Sequence, residues 1–447
     1  MTPLIADLCA ALLDAARNAG AGAADAMAVS GTSLSIDIRK GALEQAERSE
    51  GVEIGLRVLI GRRQACVSAS DISPSTIRAL AERATAMANE APEDPTAGLA
   101  EAGQLATGWD LATLDLCDSA DEPGAADLES AARAAEAAAL SRQGITQVEA
   151  SSGYSRRQFQ IAASNGFNGG FARTSRSLSA VAFTGTGTAM ERDYAGESRV
   201  YSTDLPGATD IGELAAARAL QRTGAVQPKT GTYPVLYDER VASSLIGHLL
   251  SAINGAAIAR GSSWARDLLG HKVLPDALSL IEDPHRPRIA SSRPFDMEGL
   301  PTTRRAIVAD GVLTGWVLDL ATGRKLDMPS TGNAFRGTNA PPSPSTTNID
   351  LSQGPRSRDD LIADMGSGLL ITSMIGSTIN PTTGDYSRGA SGFWVEGGRI
   401  AYPVHEFTIA GNLRDMLLRV IPANDARPHL SIRVPSLLID GMTVAGG

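Results

Sequence analysis

The spacing of apolar and polar residues changes period along the chain, and the changes mark its elements. Leu4, Ile5, Leu8, Leu12 and Ala16 recur at helical spacing, which predicts an amphipathic first helix. Leu34-Ser35-Ile36-Asp37-Ile38-Arg39 then alternates strictly, the period of a half-buried strand, and Lys40-Gly41 turns the chain. Val52 to Val58 and Ala65 to Ser68 repeat that alternation after short gaps. The gaps leave no room for crossover helices, so these strands are expected to pair antiparallel. Ser73-Pro74 supplies an N-cap and a first-turn proline for a second helix through about Asn89.

From Ala91 to Ala125 the chain turns acidic and is interrupted by Pro92, Pro95 and Pro123, which reads as an exposed connection. An Ala-rich helix is expected near Ala125 to Ser141, with strands near Ile145 to Ser151, Arg157 to Ala163 and Ser177 to Met190. Asn165 to Gly170 is a turn cluster whose Asn and Gly tolerate positive φ. Thr184-Gly185-Thr186-Gly187-Thr188 lacks dinucleotide or P-loop spacing and reads as ordinary strand. A helix near Ile211 to Thr223 precedes Gln227-Pro228-Lys229-Thr230-Gly231, the expected boundary between domains 1–226 (subparts 1–90 and 125–226) and 227–447. Beyond it, Tyr233 to Tyr237 reads as a strand entering a helix. Short strands follow: Ser279 to Glu282, Arg304 to Ala309, Gly368 to Ser373, Ser391 to Val395, Arg399 to Tyr402 and Leu430 to Val434. Thr338 to Ser345 is a proline-punctuated loop with no regular structure expected. The expected fold class is α+β: an N-terminal α+β domain with an antiparallel meander, then a mainly-β, barrel-like C-terminal domain with a packed helix.

Composition narrows the function classes. A formal net charge of −10 disfavours a nucleic-acid surface, which needs clustered Lys and Arg. Asp7 and Asp14 interrupt the N-terminal apolar run, and no uncharged stretch reaches bilayer length, so neither a leader nor a membrane span is expected. The three cysteines have no framework spacing and are read as reduced thiols of a cytoplasmic protein.

The chemistry centres on the helix near Val241 to Trp264. Val241, Leu245, Leu249, Ala252, Ile253 and Ala256 fall at helical spacing, and Asn254, Gly255 and Gly261 weaken or end the helix. Zinc hydrolysis needs about three protein ligands, an open water position and a carboxylate base. The five histidines are His248, His271, His285, His405 and His429, and no two share a helical turn. His405-Glu406 is half a motif, because Ile409 and Ala410 stand where a second ligand would be needed. His248 shares the face of Val241, Leu245 and Ala252, so a neutral core or interface histidine with one hydrogen-bond partner is expected, a substrate contact being the other reading. Asp385-Tyr386-Ser387-Arg388 lies between glycines and is expected as a structured turn, or else as a peptide or partner contact in which Arg388 grips a carboxylate or a strand carbonyl. No G-x-S-x-G elbow is present. Glu44, Glu47 and Glu50, alternating with Lys40 and Arg48, read as a solvated face.

Four blocks carry a family resemblance: Gly41-Ala42-Leu43-Glu44-Gln45-Ala46-Glu47-Arg48-Ser49-Glu50 with Gly55-Leu56-Arg57-Val58; Ala259-Arg260-Gly261-Ser262-Ser263; Asn380 through Trp394; and Phe407-Thr408-Ile409-Ala410-Gly411-Asn412-Leu413. In order and spacing they resemble the TldD/PmbA peptidase family, specifically its PmbA (TldE) branch. The resemblance implies a cytoplasmic two-subunit metallopeptidase. A TldD-type chain holds zinc through an HExxxH helix, and the PmbA-like chain completes the enclosure for unfolded peptides. The equivalent window here reads Gly247-His248-Leu249-Leu250-Ser251-Ala252, with no second His and no Glu. This chain is therefore expected to be the non-zinc-binding subunit, with no catalytic, cofactor or metal residue of its own and with zinc on the TldD-type partner. His248, Tyr386, Ser387 and Arg388 are its candidate peptide or partner contacts. The alternative is a stand-alone homodimeric peptide-binding or regulatory protein without proteolytic activity.

Overall fold

The computed structural model describes residues 4–447, the side chain of Ser377 excepted. The N-terminal half is organised on strands Ala23–Arg39 (β1), Ala42–Ile60 (β2), Arg63–Ala69 (β3), Ile145–Ala163 (β4), Asn168–Thr184 (β5) and Glu191–Arg199 (β6). They form one antiparallel six-stranded sheet in the order β3-β2-β1-β4-β5-β6. Helices Ile5–Asn18 (α1) and Pro74–Glu90 (α2) cover one end of one face, and Ala125–Leu140 (α4) and Ala208–Gln221 (α5) cover the other end; Leu111–Leu114 (α3) is a single turn. The even positions of β1 explain this division. Ala24, Ala26 and Ala28 pack under α1 and α2, while Leu34, Ile36 and Ile38 pack under α4 and α5. The opposite face, with Asp25 and Met27, meets the C-terminal half.

The C-terminal half begins with Gly231–Tyr237 (β7), which leads into Glu239–Ala252 (α6) and Gly255–Arg260 (α7). A small sheet joins Leu280–Glu282 (β8), Arg305–Ala309 (β9), Val312–Leu313 (β10), Ile349–Leu351 (β13) and Ile432–Arg433 (β18), and a ribbon joins Ala334–Phe335 (β11) to Ser343–Pro344 (β12). Leu320–Lys325 (α8), Arg358–Met365 (α9) and Leu413–Leu417 (α10) are short helices. The main sheet consists of Gly368–Ile379 (β14), Asp385–Glu396 (β15), Arg399–Asn412 (β16), Ile421–Pro422 (β17) and Leu437–Ala445 (β19) together with β7. It closes because β16 also pairs with β19, Ile409 opposite Val444, so these strands form a barrel without a free edge along that seam. The buried face of α6, with Ala242, Leu245, Ile246 and Leu249, packs with Tyr237, Ile371, Ile439 and Val444 in one core.

The α+β class and the barrel-like C-terminal domain agree with the sequence expectation. Several local readings change. The first strand begins at Ala23, because its Ala-rich start alternates with too little hydrophobic contrast to register. Only Thr184 of the Thr184 to Thr188 run is strand, the last residue of β5: Gly185 (φ 65°) and Gly187 (φ 59°) turn the chain into β6, a strand not foreseen. The acidic connection is not simply exposed. Ala100, Leu114 and Leu116 are buried, Arg324 donates to the carbonyls of Thr96 and Leu99 at 2.8 Å each, and Ala106 N donates to Gly299 O at 2.9 Å. The Thr338 to Ser345 loop is docked rather than free. Part of it is β12, and the Thr338 backbone lies so close to Gly55 that a Cβ there would stand 2.1 Å from the Thr338 carbonyl oxygen.

Candidate functional site

The strand-to-helix step from β7 to α6 sets the site. Asp238 caps α6, accepting from Arg240 N at 3.2 Å and from Arg240 Nε at 3.0 Å. This places the fully buried Tyr237 at the base of the helix. One turn beyond the middle of α6, His248 sits half-buried beside β15. Alternation along β15 directs Tyr386 and Arg388 to one face of the sheet and Ser387 to the other. The His248 and Tyr386 rings meet edge-on, with centroids 5.9 Å apart. Tyr237 Oη donates to Tyr386 Oη at 3.5 Å, and Tyr386 Oη lies 3.5 Å from Met374 Sδ. Burial pushes both phenols above their ordinary range. Burial, followed by the charge of Arg388, pushes the His248 imidazole down, so the ring is neutral at neutral pH.

One expectation therefore needs correction. Asp385 to Arg388 is the start of a strand, not a turn; the turn is Asn380 to Gly384, closed by Gly384 N donating to Asn380 O and Asn380 N donating to Asp385 O, both at 2.9 Å. The expectation for His248 is a core or interface histidine with one hydrogen-bond partner; among the described residues, none hydrogen-bonds with its buried Nε2. The ring instead opens on a cavity of about 240 Å³ bordered by Ser251, Ser262, Trp264, Ile379 and Pro381. The structure brings His248, Tyr386 and Arg388 together and leaves Ser387 on the opposite face of the sheet. Tyr237 was missed, although an aromatic residue closing a strand just before a capping Asp was the available signal.

The donors around His248 do not suit a zinc ion. They amount to one imidazole among phenols, a thioether and a guanidinium, with no second imidazole or carboxylate at coordinating spacing on α6. Among the described residues, no group of three His, Cys, Asp or Glu side chains is placed to hold a metal.

A second, larger cleft of about 1,010 Å³ separates β6 from the β14–β16 strands. Its floor is ionic. Arg222 donates to Ser391 Oγ at 2.6 Å and lies 3.6 Å from Asp193, which pairs with Arg240 at 3.0 Å. His405 Nδ1 stands 2.8 Å from Glu191 Oε1, so the half-motif of His405 is completed across the cleft by a hydrogen bond and not by a metal ligand from its own strand. The rim is apolar, with Met190 and Tyr194 each 51% exposed and Ile375 74% exposed. Nothing in the local sequence joined Glu191 to His405, because their encounter depends on the docking of two sheets.

Family models match three stretches: residues 24–88 match the PmbA/TldA metallopeptidase domain 1, residues 118–223 its central domain and residues 230–446 its C-terminal domain. The Metalloprotease PmbA of Escherichia coli O157:H7 is 36% identical over 417 residues, 93% of this chain and 90% of that protein. In Haemophilus influenzae a Metalloprotease PmbA homolog is 35% identical over 95% of this chain and 93% of its own length, and a Metalloprotease TldD homolog is 26% identical over 52% of each. Among solved structures, a Bacteroides thetaiotaomicron protein described as a candidate modulator of DNA gyrase superposes with a TM-score of 0.91 at 27% identity, covering 99% of this chain and 98% of its own. TldE from Thermococcus kodakarensis, at 18% identity, shares the fold with a TM-score of 0.85 over 98% of this chain and all of its own. Matched along nearly its whole length, the chain belongs to the PmbA/TldD metallopeptidase family.

Proposed function

We propose that this chain is the non-zinc-binding subunit of a heterodimeric cytoplasmic metallopeptidase, paired with a TldD-type chain that holds the zinc. The observation that carries the reading is the environment of His248, where the helix presents one neutral imidazole between Tyr386 and Arg388. A guanidinium in that place disfavours a divalent cation by charge alone. The presence of both a PmbA homolog and a TldD homolog in Haemophilus influenzae supports a two-chain arrangement.

Unfolded peptide is the substrate class that the large cleft fits. Strand β6 is an edge of its sheet, and Glu191 to Tyr194 line the cleft. An extended peptide adds there as a further strand through backbone hydrogen bonds, with its apolar side chains against Met190 and Ile375. An extended chain has its whole backbone free to pair there, whereas most of a folded protein's backbone is already hydrogen-bonded within its own elements.

The test is cleavage of an unfolded peptide by a TldD-type subunit titrated with this chain. Cleavage is expected to rise and to saturate at equimolar ratio, and Ile375→Asp, at an exposed rim position, is expected to lower it several-fold without a change in melting temperature. Partner activity indifferent to this chain would reject the pairing, and cleavage by this chain alone would reject the non-zinc role.

A further inference from the structure

A third cavity, of about 400 Å³, lies between β4, β5 and the C-terminal half, apart from both clefts above. Its wall is a two-by-two plate of cross-strand pairs. Arg157 stands opposite Arg173 in the β4–β5 register, and Phe159 stands opposite Phe171. The two phenyl rings stack with centroids 5.0 Å apart, and the Arg173 guanidinium lies 5.3 Å from the Phe171 centroid and 5.7 Å from that of Phe159. Arg293 and Phe335 face the plate from the other half.

Like charges directly opposite on neighbouring strands repel, and here the opposing pair is joined by a third cation. The charges acting on Arg173 are those of Arg293 and Arg157, both of its own sign. Among the described residues, its Nη groups donate to the backbone carbonyls of Ala290 and Ser292 and to no carboxylate. Arg293, 5% exposed, likewise donates to the carbonyls of Ala334 (3.4 Å) and Ser345 (3.0 Å). The carboxylates that act on Arg293 from a distance are those of Asp296 and Glu282. They are committed elsewhere: Asp296 accepts from the backbone of Glu298, Leu300 and Ala334, and Glu282 from Arg305, Asn333 and Thr347. Among the described residues, none accepts from the buried Nε atoms of Arg173 and Arg293. Uncompensated guanidinium charge in a semi-enclosed apolar space is costly, and an anion removes the cost.

We propose that this cleft binds an organic carboxylate carrying an aryl or branched alkyl group. Its carboxylate sits among Arg157, Arg173 and Arg293, and its apolar part lies against Phe159, Phe171 and Phe335. Arg157, the exposed one of the three, offers a planar fork that matches a carboxylate bidentately, while Arg173 and Arg293 add positive charge from the wall. The strand and loop residues that line the cavity include no helix N-terminus, the usual cradle of a polyphosphate. The volume falls in the range of small-ligand sites. Two sources share this chemistry, the C-terminal end of a peptide and a free carboxylic acid. The site rests on this geometry and is independent of the proposed pairing with a TldD-type chain.

Isothermal titration calorimetry on the full chain tests it, with N-acetyl-phenylalanine, its primary amide, 3-phenylpropionate and an N-acetylated tripeptide ending in phenylalanine. The free acids are expected to bind, and the amide to bind at least about tenfold more weakly, the loss of one charge-assisted contact. Arg157→Gln and Phe335→Ala, both at exposed positions, are expected to weaken the acids about fivefold or more with melting temperature unchanged, a loss of roughly 1 kcal/mol or more. Tighter binding of the tripeptide than of the shorter acids assigns a peptide end; tighter binding of phenylpropionate assigns a free acid. Equal binding of acid and amide, no binding at millimolar concentration, indifference to both substitutions, or displacement by equimolar inorganic phosphate would overturn the proposal.

Discussion

His248 is neutral because its ring is removed from water and faces the charge of Arg388. In Arg388→Ala the cationic neighbour is gone, so an NMR titration should show the His248 pKa moving up toward 6.5, its ordinary value. A depressed histidine binds its proton more weakly in the folded chain than in the unfolded one. Its contribution to stability is therefore complete above about 6.5 and is lost as the pH falls toward the folded value. Glu298 works in the opposite direction. Burial, with Asp296 and Asp319 nearby, raises it from 4.5 to about 8. The folded chain then holds the extra proton between those values, and stability falls as pH rises through that window. Glu298→Gln should accordingly raise the melting temperature at pH 9 relative to the parent and have little effect at pH 5, the sign that distinguishes a protonated carboxyl from an ionised one. Chemically, the sequence made His248 visible as a lone imidazole. It did not show that the ring opens on a cavity, because that depends on the hairpin from Asn380 to Asp385 reaching it from more than a hundred residues away.

At the scale of elements, the parts that read most directly were those with strong periodicity and punctuation. Ser73-Pro74 became the cap and first turn of α2, with Thr76 N donating to Ser73 Oγ at 3.3 Å. The alternation from Val52 to Val58 became the buried end of β2. Weak contrast hid the others: the Ala-rich start of β1 and the mixed, half-exposed β6 carry little hydrophobic signal. The Asp385 to Arg388 run misled because flanking glycines suggested a turn. Of these, Gly384 (φ 80°) closes the turn that precedes the strand, and Gly389 lies within the strand, where a Cβ would stand 3.2 Å from the Ile375 carbonyl oxygen; at Gly392, farther along, it would stand 1.9 Å from the Leu370 carbonyl oxygen. The same device holds the two halves together at Gly55. Gly55→Ala forces the Thr338 backbone outward and should cost about 1–3 kcal/mol in urea unfolding, with faster proteolysis between Gly337 and Pro342. An unchanged unfolding curve and an unchanged cleavage pattern would show that the loop yields freely.

Across the whole molecule, what was legible was the order of the blocks, and what was not was the space between them. The three cavities each lie where segments far apart in sequence meet, so the pairing of Glu191 with His405 and the facing of Arg293 onto the Arg157–Arg173 pair required the assembled chain. Among the described residues no helix is long and apolar enough to cross a membrane. The proposed role rests on a division of labour between two related chains, one supplying metal and the other supplying enclosure. Variants that introduce charge at the rim of the large cleft, where Met190 and Ile375 are exposed, should therefore depress cleavage by the pair without altering the zinc that the pair carries. The most direct measurement is the zinc content of this chain by plasma mass spectrometry, purified once alone and once with a TldD-type subunit. The expected result is far less than one zinc per lone chain and about one per heterodimer. A lone chain that retains about one zinc through gel filtration, and gives it up to a chelator with loss of peptide cleavage, would contradict the proposed role.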